Sequence, residues 1–262
     1  MNYMDFHCHL DMKAFDLNRE EIAAEFFNSG FSRLVTAADP YEPGSFETTR
    51  EILSYHKNIY CTAGAHPHGA DRYTPAIEKA ILRFLPESGA VAVGEAGLDF
   101  HYNLSTPENQ LQVFKRQIAI ARELQLPLVI HSREAEALVL QTLEGEKFQF
   151  PVVFHCYTGN MADAKEIVKR GYYLSFSGIV TFRQKKTDYL RDIVREVPLD
   201  RLFTETDSPY LAPEPFRGKP NTPLLVRYVA EKVAEIKGIP VEELNRCIDE
   251  NFGRLCPNCP PG

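Results

Sequence analysis

Short apolar runs punctuate the chain at residues 3–9, 33–37, 59–64, 91–94, 128–131, 152–155, 173–176 and 202–204. Their interiors are apolar at consecutive positions, as in Leu128-Val129-Ile130 and Val152-Val153-Phe154. A half-exposed strand would alternate apolar with polar, so this pattern predicts strands buried on both faces of a parallel sheet. Apolar positions recur at helical spacing over 20–28, 46–55, 77–84, 108–124, 134–143, 162–170, 189–196, 224–237 and 241–251. Thr106-Pro107 reads as an N-cap with proline at the first helical position. Gly171 follows Lys169-Arg170 and Gly238 follows Lys237: cationic last turns closed by a glycine.

Strictly alternating elements predict an α/β fold with parallel strands. Eight strand candidates favour a closed (β/α)8 TIM barrel, with 241–251 as an extra C-terminal helix. The open dinucleotide-binding sheet competes on pattern, but no Gly-x-Gly-x-x-Gly follows the first run. A length of 262 residues suits a single barrel. Residues 1–255 read as one domain and 256–262 as a Cys/Pro-rich tail.

Composition narrows the function classes. The chain is 44% hydrophobic and 25% charged, as in ordinary globular proteins. Its net charge of −7 argues against coating nucleic acid through a broad basic surface. It leaves room for an enzyme that grips phosphates with a metal centre and a few local cations. No signal peptide or membrane-spanning run is evident, so neither a membrane nor an obligate protein partner is implied. Six cysteines (Cys8, Cys61, Cys156, Cys247, Cys256 and Cys259) are scattered without the density of a disulfide scaffold, which points to a reducing cytoplasm. Cys256 and Cys259 have metal-ligand spacing, but no second pair completes a tetrahedral site.

The chemistry collects where strand candidates end. In Asp5-Phe6-His7-Cys8-His9-Leu10, His7 and His9 stand two apart on a strand and share a face. That geometry admits a metal, and equally an ordinary strand end bonded to backbone. His66-Pro67-His68 follows the third run, Glu95 to Asp99 the fourth, His131-Ser132-Arg133 the fifth, His155-Cys156-Tyr157 the sixth and Glu205-Thr206-Asp207 the eighth. Barrel enzymes build their sites at this end of their strands. His7, His9, Glu95, His131, His155 and Asp207 supply four imidazoles and two carboxylates. A catalytic ion takes about three protein ligands plus water, so six suit two ions with one carboxylate bridging.

The ordered set Asp5-Phe6-His7-Cys8-His9-Leu10, Gly64-Ala65-His66-Pro67-His68, Gly94-Glu95-Ala96-Gly97-Leu98-Asp99, His131-Ser132-Arg133, His155-Cys156-Tyr157-Thr158-Gly159, Glu205-Thr206-Asp207-Ser208-Pro209-Tyr210-Leu211 and Asn251-Phe252-Gly253-Arg254-Leu255 resembles the successive signatures of the TatD family. These are metal-dependent deoxyribonucleases of the amidohydrolase-type barrel superfamily. The resemblance runs from Asp5 to Leu255. It implies His7, His9, Glu95, His131, His155 and Asp207 as ligands of two divalent ions, with Glu95 as the bridge. Asp207 would also orient or deprotonate the attacking water as general base. Glu205 would support a ligand or contact substrate. His66 and Arg133 would contact phosphate oxygens, with a structural ion pair as the alternative for Arg133.

Tyr157 and Phe182 could stack bases. Arg183, Lys185 and Lys186 could touch a phosphate backbone or form a solvated loop. One stretch departs from the family pattern: Arg217-Gly218-Lys219-Pro220-Asn221-Thr222-Pro223 stands where Gly-Lys-Arg-Asn-Glu-Pro is common. That puts substrate contacts of this loop in doubt. The expected activity is hydrolysis of phosphodiester bonds in DNA, or RNA, from the 3′ end of single strands, with Zn, Mn or Mg. The alternative is hydrolysis of amide or ester substrates such as D-aminoacyl-tRNA on the same barrel.

Overall fold

The computed structural model describes residues 2–259. Eight parallel strands form one sheet in chain order: Met4–Cys8 (β1), Arg33–Ala38 (β2), Ile59–Ala63 (β3), Ala92–Asp99 (β4), Leu128–Arg133 (β5), Val152–Phe154 (β6), Tyr173–Phe176 (β7) and Leu202–Thr204 (β8). The helices outside them are Arg19–Asn28 (α1), Ser45–Tyr55 (α2), Pro75–Ser88 (α3), Pro107–Leu124 (α4), Glu136–Gly145 (α5), Met161–Lys169 (α6), Asp188–Glu196 (α7), Val226–Lys237 (α8) and Val241–Leu255 (α9). This is the (β/α)8 barrel with an extra helix that the pattern predicts. Most strand positions are buried because side chains fill the barrel interior on one face and meet helices on the other. Thr106 caps α4, its hydroxyl accepting from Asn109 N at 3.4 Å.

The sheet closes beyond the ends of β1 and β8. Asp207 N donates to His7 O at 2.9 Å and His9 N to Ser208 O at 2.8 Å. The Asp5 carboxylate accepts from Thr206 N at 2.9 Å and Thr206 Oγ1 at 2.6 Å. This seam therefore brings His9 beside Asp207.

β4 differs from expectation. The sequence reading ends its apolar run at Gly94; the strand runs on to Asp99. The reason is close backbone packing against β5. A Cβ on Gly94 would lie 2.6 Å from Val129 O, and one on Gly97, at φ 146°, would lie 2.0 Å from His131 O. Glycine is thus required at both, and the register shifts between Val93 and Ala96. Glu95 sits in this irregularity, inside the strand.

At the opposite end, α9 closes the barrel floor. Asn251 Nδ2 donates to Leu199 O and Leu202 O, both at 2.8 Å. Arg33 pairs with Asp249 and lies over the Phe252 ring, 5.0 Å from its centroid. Cys256 is buried, with Sγ 3.7 Å from Val91 O, so the first tail residue packs on the floor. Pro260, Pro261 and Gly262 lie outside the described residues. Among the described residues no helix is long and apolar enough to cross a membrane.

Candidate metal centre

Glu95 is the hub of the C-terminal end. Its Oε1 lies 2.6 Å from His155 Nε2 and 3.9 Å from His131 Nδ1. Its Oε2 lies 3.5 Å from His9 Nε2 and 3.7 Å from His7 Nε2. Asp207 Oδ1 is 3.3 Å from His9 Nε2. Asp207 holds φ 56°, a left-handed conformation that aspartate tolerates better than most residues. Three donor triads here have ligand atoms within 4.8 Å of one another: His7, His9 and Glu95; Glu95, His131 and His155; His7, His155 and Asp207. The two oxygens of Glu95 face one imidazole pair each. This arrangement could hold two ions with a shared carboxylate.

The electrostatics demand positive charge at this spot. Burial opposes ionisation of Glu95, but His155 and His7, with hydrogen bonds from His131 and His155, hold its carboxyl well below the usual range. Asp207 is likewise held down, the His9 contact outweighing burial. Burial pushes the imidazoles down, yet Asp207 and Glu95 raise His9 to about 9. Glu95 and Glu205 raise His155 well above the ordinary value, and Asp99 and Glu95 raise His131. Protons on these rings take the place that divalent ions would fill. His7 is fully buried and neither ring nitrogen has a hydrogen-bond partner among the described residues. Such an orphan costs about 1–3 kcal/mol, and a coordinated cation would relieve it. The donor set fits a divalent metal.

A cavity of about 510 Å³ opens above this cluster, lined by His9, His66, Glu95, His131, Arg133 and Asp207 among others. His66 Nδ1 accepts from His68 N at 3.2 Å. Burial and the neighbouring His131 keep its imidazole neutral, which leaves the proton on Nε2. Arg133 Nη1 reaches Thr158 Oγ1 at 3.4 Å. The structural ion pair considered for Arg133 does not form among the described residues; its guanidinium faces the cavity instead.

Comparison with known proteins agrees with this architecture over the whole barrel. The family model for TatD related DNase matches residues 4–257. The chain belongs to the TatD-related DNase family. Within it, the chain is 39% identical to the uncharacterized metal-dependent hydrolase YcfH of Escherichia coli strain K12, over 97% of this chain and 96% of that one. It is 33% identical to the 3′-5′ ssDNA/RNA exonuclease TatD of Pectobacterium atrosepticum, over 96% and 98% of the two chains. The solved structure of YJJV, a TatD homolog from Escherichia coli K12, superposes with a TM-score of 0.88 at 24% identity, covering 97% and 98%. As a TatD-related protein the chain is a metal-dependent hydrolase.

Two sequence expectations need correction within this TatD-type site. Tyr157 is only 3% exposed, its hydroxyl donates to Asn160 O at 2.7 Å and Gly159 packs against its ring. Its face is closed to a base. Glu205 is fully buried: Oε1 accepts from Cys156 N at 2.6 Å and lies 3.4 Å from His155 Nδ1. Of the two roles expected of Glu205, this position suits the first, support of His155 from behind. The stacking role considered for Phe182 also fails on its covered side, where Arg217 lies 4.4 Å over the ring.

Sequence reasoning missed Asp99. Its fully buried carboxylate takes His131 Nε2 at 2.9 Å and His68 Nε2 at 2.8 Å on one oxygen. The other oxygen accepts from His101 N and Tyr102 N at 3.0 and 2.9 Å. Asp99 thus fixes which nitrogen His131 turns toward Glu95. Strand parity does not reach it from the sequence, because the apolar run stops at Gly94 and the continuation to Asp99 is set by packing on β5. Tyr102 and Tyr210 were also missed; both are exposed aromatics on the cavity rim.

Proposed function

We propose that this protein hydrolyses phosphodiester bonds of single-stranded nucleic acid, working from the 3′ end, with two divalent ions held by His7, His9, Glu95, His131, His155 and Asp207. The observation that carries this reading is the position of Glu95, with one oxygen toward His131 and His155 and the other toward His7 and His9. Its fit to TatD relatives, one of them named as a 3′-5′ ssDNA/RNA exonuclease, supports the substrate class. Imidazole and carboxylate donors suit Zn or Mn, and allow weaker Mg. When bound, such ions activate a water and neutralise charge on the phosphoryl oxygens.

The chain's own groups supply the rest. Asp207, ionised and held by His9, accepts the proton of the attacking water. The P–O3′ bond breaks, the leaving 3′ oxygen takes a proton from solvent to become a hydroxyl, and a 5′-phosphorylated nucleotide is released. His66 offers an Nε2–H and Arg133 a guanidinium fork to the non-bridging oxygens. Tyr102 and Tyr210 offer rim faces to bases. Six cysteines without disulfides suit the reducing cytoplasm.

The test is degradation of 5′-labelled single-stranded DNA and RNA by purified protein with Mg²⁺, Mn²⁺ or Zn²⁺. We expect a ladder shortening from the 3′ end, stopped by chelator and abolished in His131→Ala and Asp207→Asn. Full activity in either variant rejects the site. Turnover of an aminoacyl ester with no cleavage of either nucleic acid rejects the substrate class in favour of acyl hydrolysis.

A further inference from the structure

The cleft continues past the metal centre. A second cavity of about 560 Å³ adjoins the first, and Arg133, Thr158, Ile179 and Leu211 line both. Its outer wall comes from the segment joining β7 to α7 and from the loop carrying Arg217. Arg133, Lys186 and Arg217 all face it. Of the acids on the same wall, Glu134 meets His101 Nδ1 at 2.7 Å, and Glu136 accepts from Ala135 N at 3.1 Å while interacting electrostatically with Arg133. Among the described residues none of the three cations forms an ion pair.

Arg217 is also preorganised. Its guanidinium lies over Phe182 at 4.4 Å, and the Gln184 amide, turned oxygen-first, accepts from its Nη1 and Nη2 at 2.6 and 2.7 Å. Stacking uses the guanidinium face and Gln184 uses two of five N–H donors, so three remain for an anion. Arg217 opens the stretch in which this chain departs from the usual family sequence.

We propose that the outer cavity is a second anion subsite, which takes the neighbouring phosphodiester of a single strand whose terminal linkage lies at the metal centre. This rests on the nuclease reading above. Arg133, at the junction, separates the two phosphate positions; Arg217 and Lys186 hold the outer one. The enzyme then favours substrates with at least two phosphodiester linkages, because a substrate with one leaves Arg217 and Lys186 unneutralised.

The experiment compares the full-length, metal-loaded enzyme with the Lys186→Ala/Arg217→Ala double variant. Each hydrolyses a decamer of single-stranded DNA and a small chromogenic diester with one phosphate. Phosphate contacts are worth roughly threefold each, so the ratio of kcat/KM, decamer over small diester, should fall about tenfold. Binding of a phosphorothioate decamer, followed by fluorescence anisotropy, should lose about 0.7 of its log–log salt slope per cation removed. Lys79→Ala/Lys115→Ala removes the same two charges from α3 and α4, outside both cavities, and should change the ratio less than twofold. Decamer cleavage by the wild type with an unaltered ratio in the Lys186→Ala/Arg217→Ala variant rejects the subsite alone. So does an equal fall in Lys79→Ala/Lys115→Ala, which would mean diffuse charge. Wild-type cleavage of the small diester with no cleavage of the decamer rejects the nuclease reading itself.

Discussion

At the floor of the barrel Asn251 spends both amide hydrogens on Leu199 O and Leu202 O, and Arg33 meets Asp249 and the Phe252 ring. At the opposite end His7 is as deeply buried, yet both its nitrogens lack partners, and Glu95 draws four imidazoles around it. At the floor these named groups find partners within the chain and gain stability. The other end keeps donors unsatisfied and aimed at a common point, which costs stability until a cation arrives. Both ends carry family signatures, so motif resemblance alone does not separate structural from chemical roles. Partnering does.

The largest expected effect comes from Glu95→Gln. Losing the shared ligand should lower kcat/KM by roughly 10³-fold or more, as several kcal/mol of charge stabilisation disappear. The variant should also lose the rise in Tm that metal gives the wild type, read by calorimetry with and without chelator. A metal-dependent Tm shift that survives in Glu95→Gln would break the contrast between the ends.

Asn251→Ala tests the floor. It orphans one buried and one part-buried carbonyl and should destabilise by about 2 kcal/mol, seen as a lower urea midpoint. Metal content and kcat should stay at wild-type values. Loss of metal from a still-folded Asn251→Ala would show that the two ends are coupled.

Asp99→Asn sits between these cases, since it supports a ligand without being one. Metal affinity should fall about 10–100-fold, measured by competition with a chromogenic chelator, with a smaller change in folding midpoint. An unchanged affinity would remove Asp99 from the centre.

The smallest effect belongs to the outer wall, which serves neither end. Arg116 holds Glu78 by two contacts of 2.8 Å and lowers its pKa, outweighing burial. A depressed carboxyl adds stability above the unfolded pKa of about 4.3, and that contribution fades as pH falls through the folded value. Glu78→Gln should therefore cost only about 0.5 kcal/mol at pH 7, and the gap to wild type should shrink at pH 3. A gap that widens on acidification would reverse the assignment.

The amino-acid sequence by itself determined the barrel and the donor types. Buried consecutive runs leave parallel strands little alternative, and an ordered series of His, Glu and Asp after those runs must gather at one barrel end. Strand parity also placed His7 and His9 together, because β1 is extended up to them. Only the tertiary structure decided which way the later residues face. Parity fails where the backbone leaves the extended region, at Cys156 with φ 42° and Asp207 with φ 56°. There Tyr157 turns inward although His155 is two residues before it, and Glu205 stands behind the site while Asp207 enters it. Asp99 stayed hidden for the opposite reason: β4 continues through Gly94 and Gly97, held by backbone contacts with β5 that no local pattern records. Period-two arguments hold only as far as the strand does, and long-range packing sets where each strand stops.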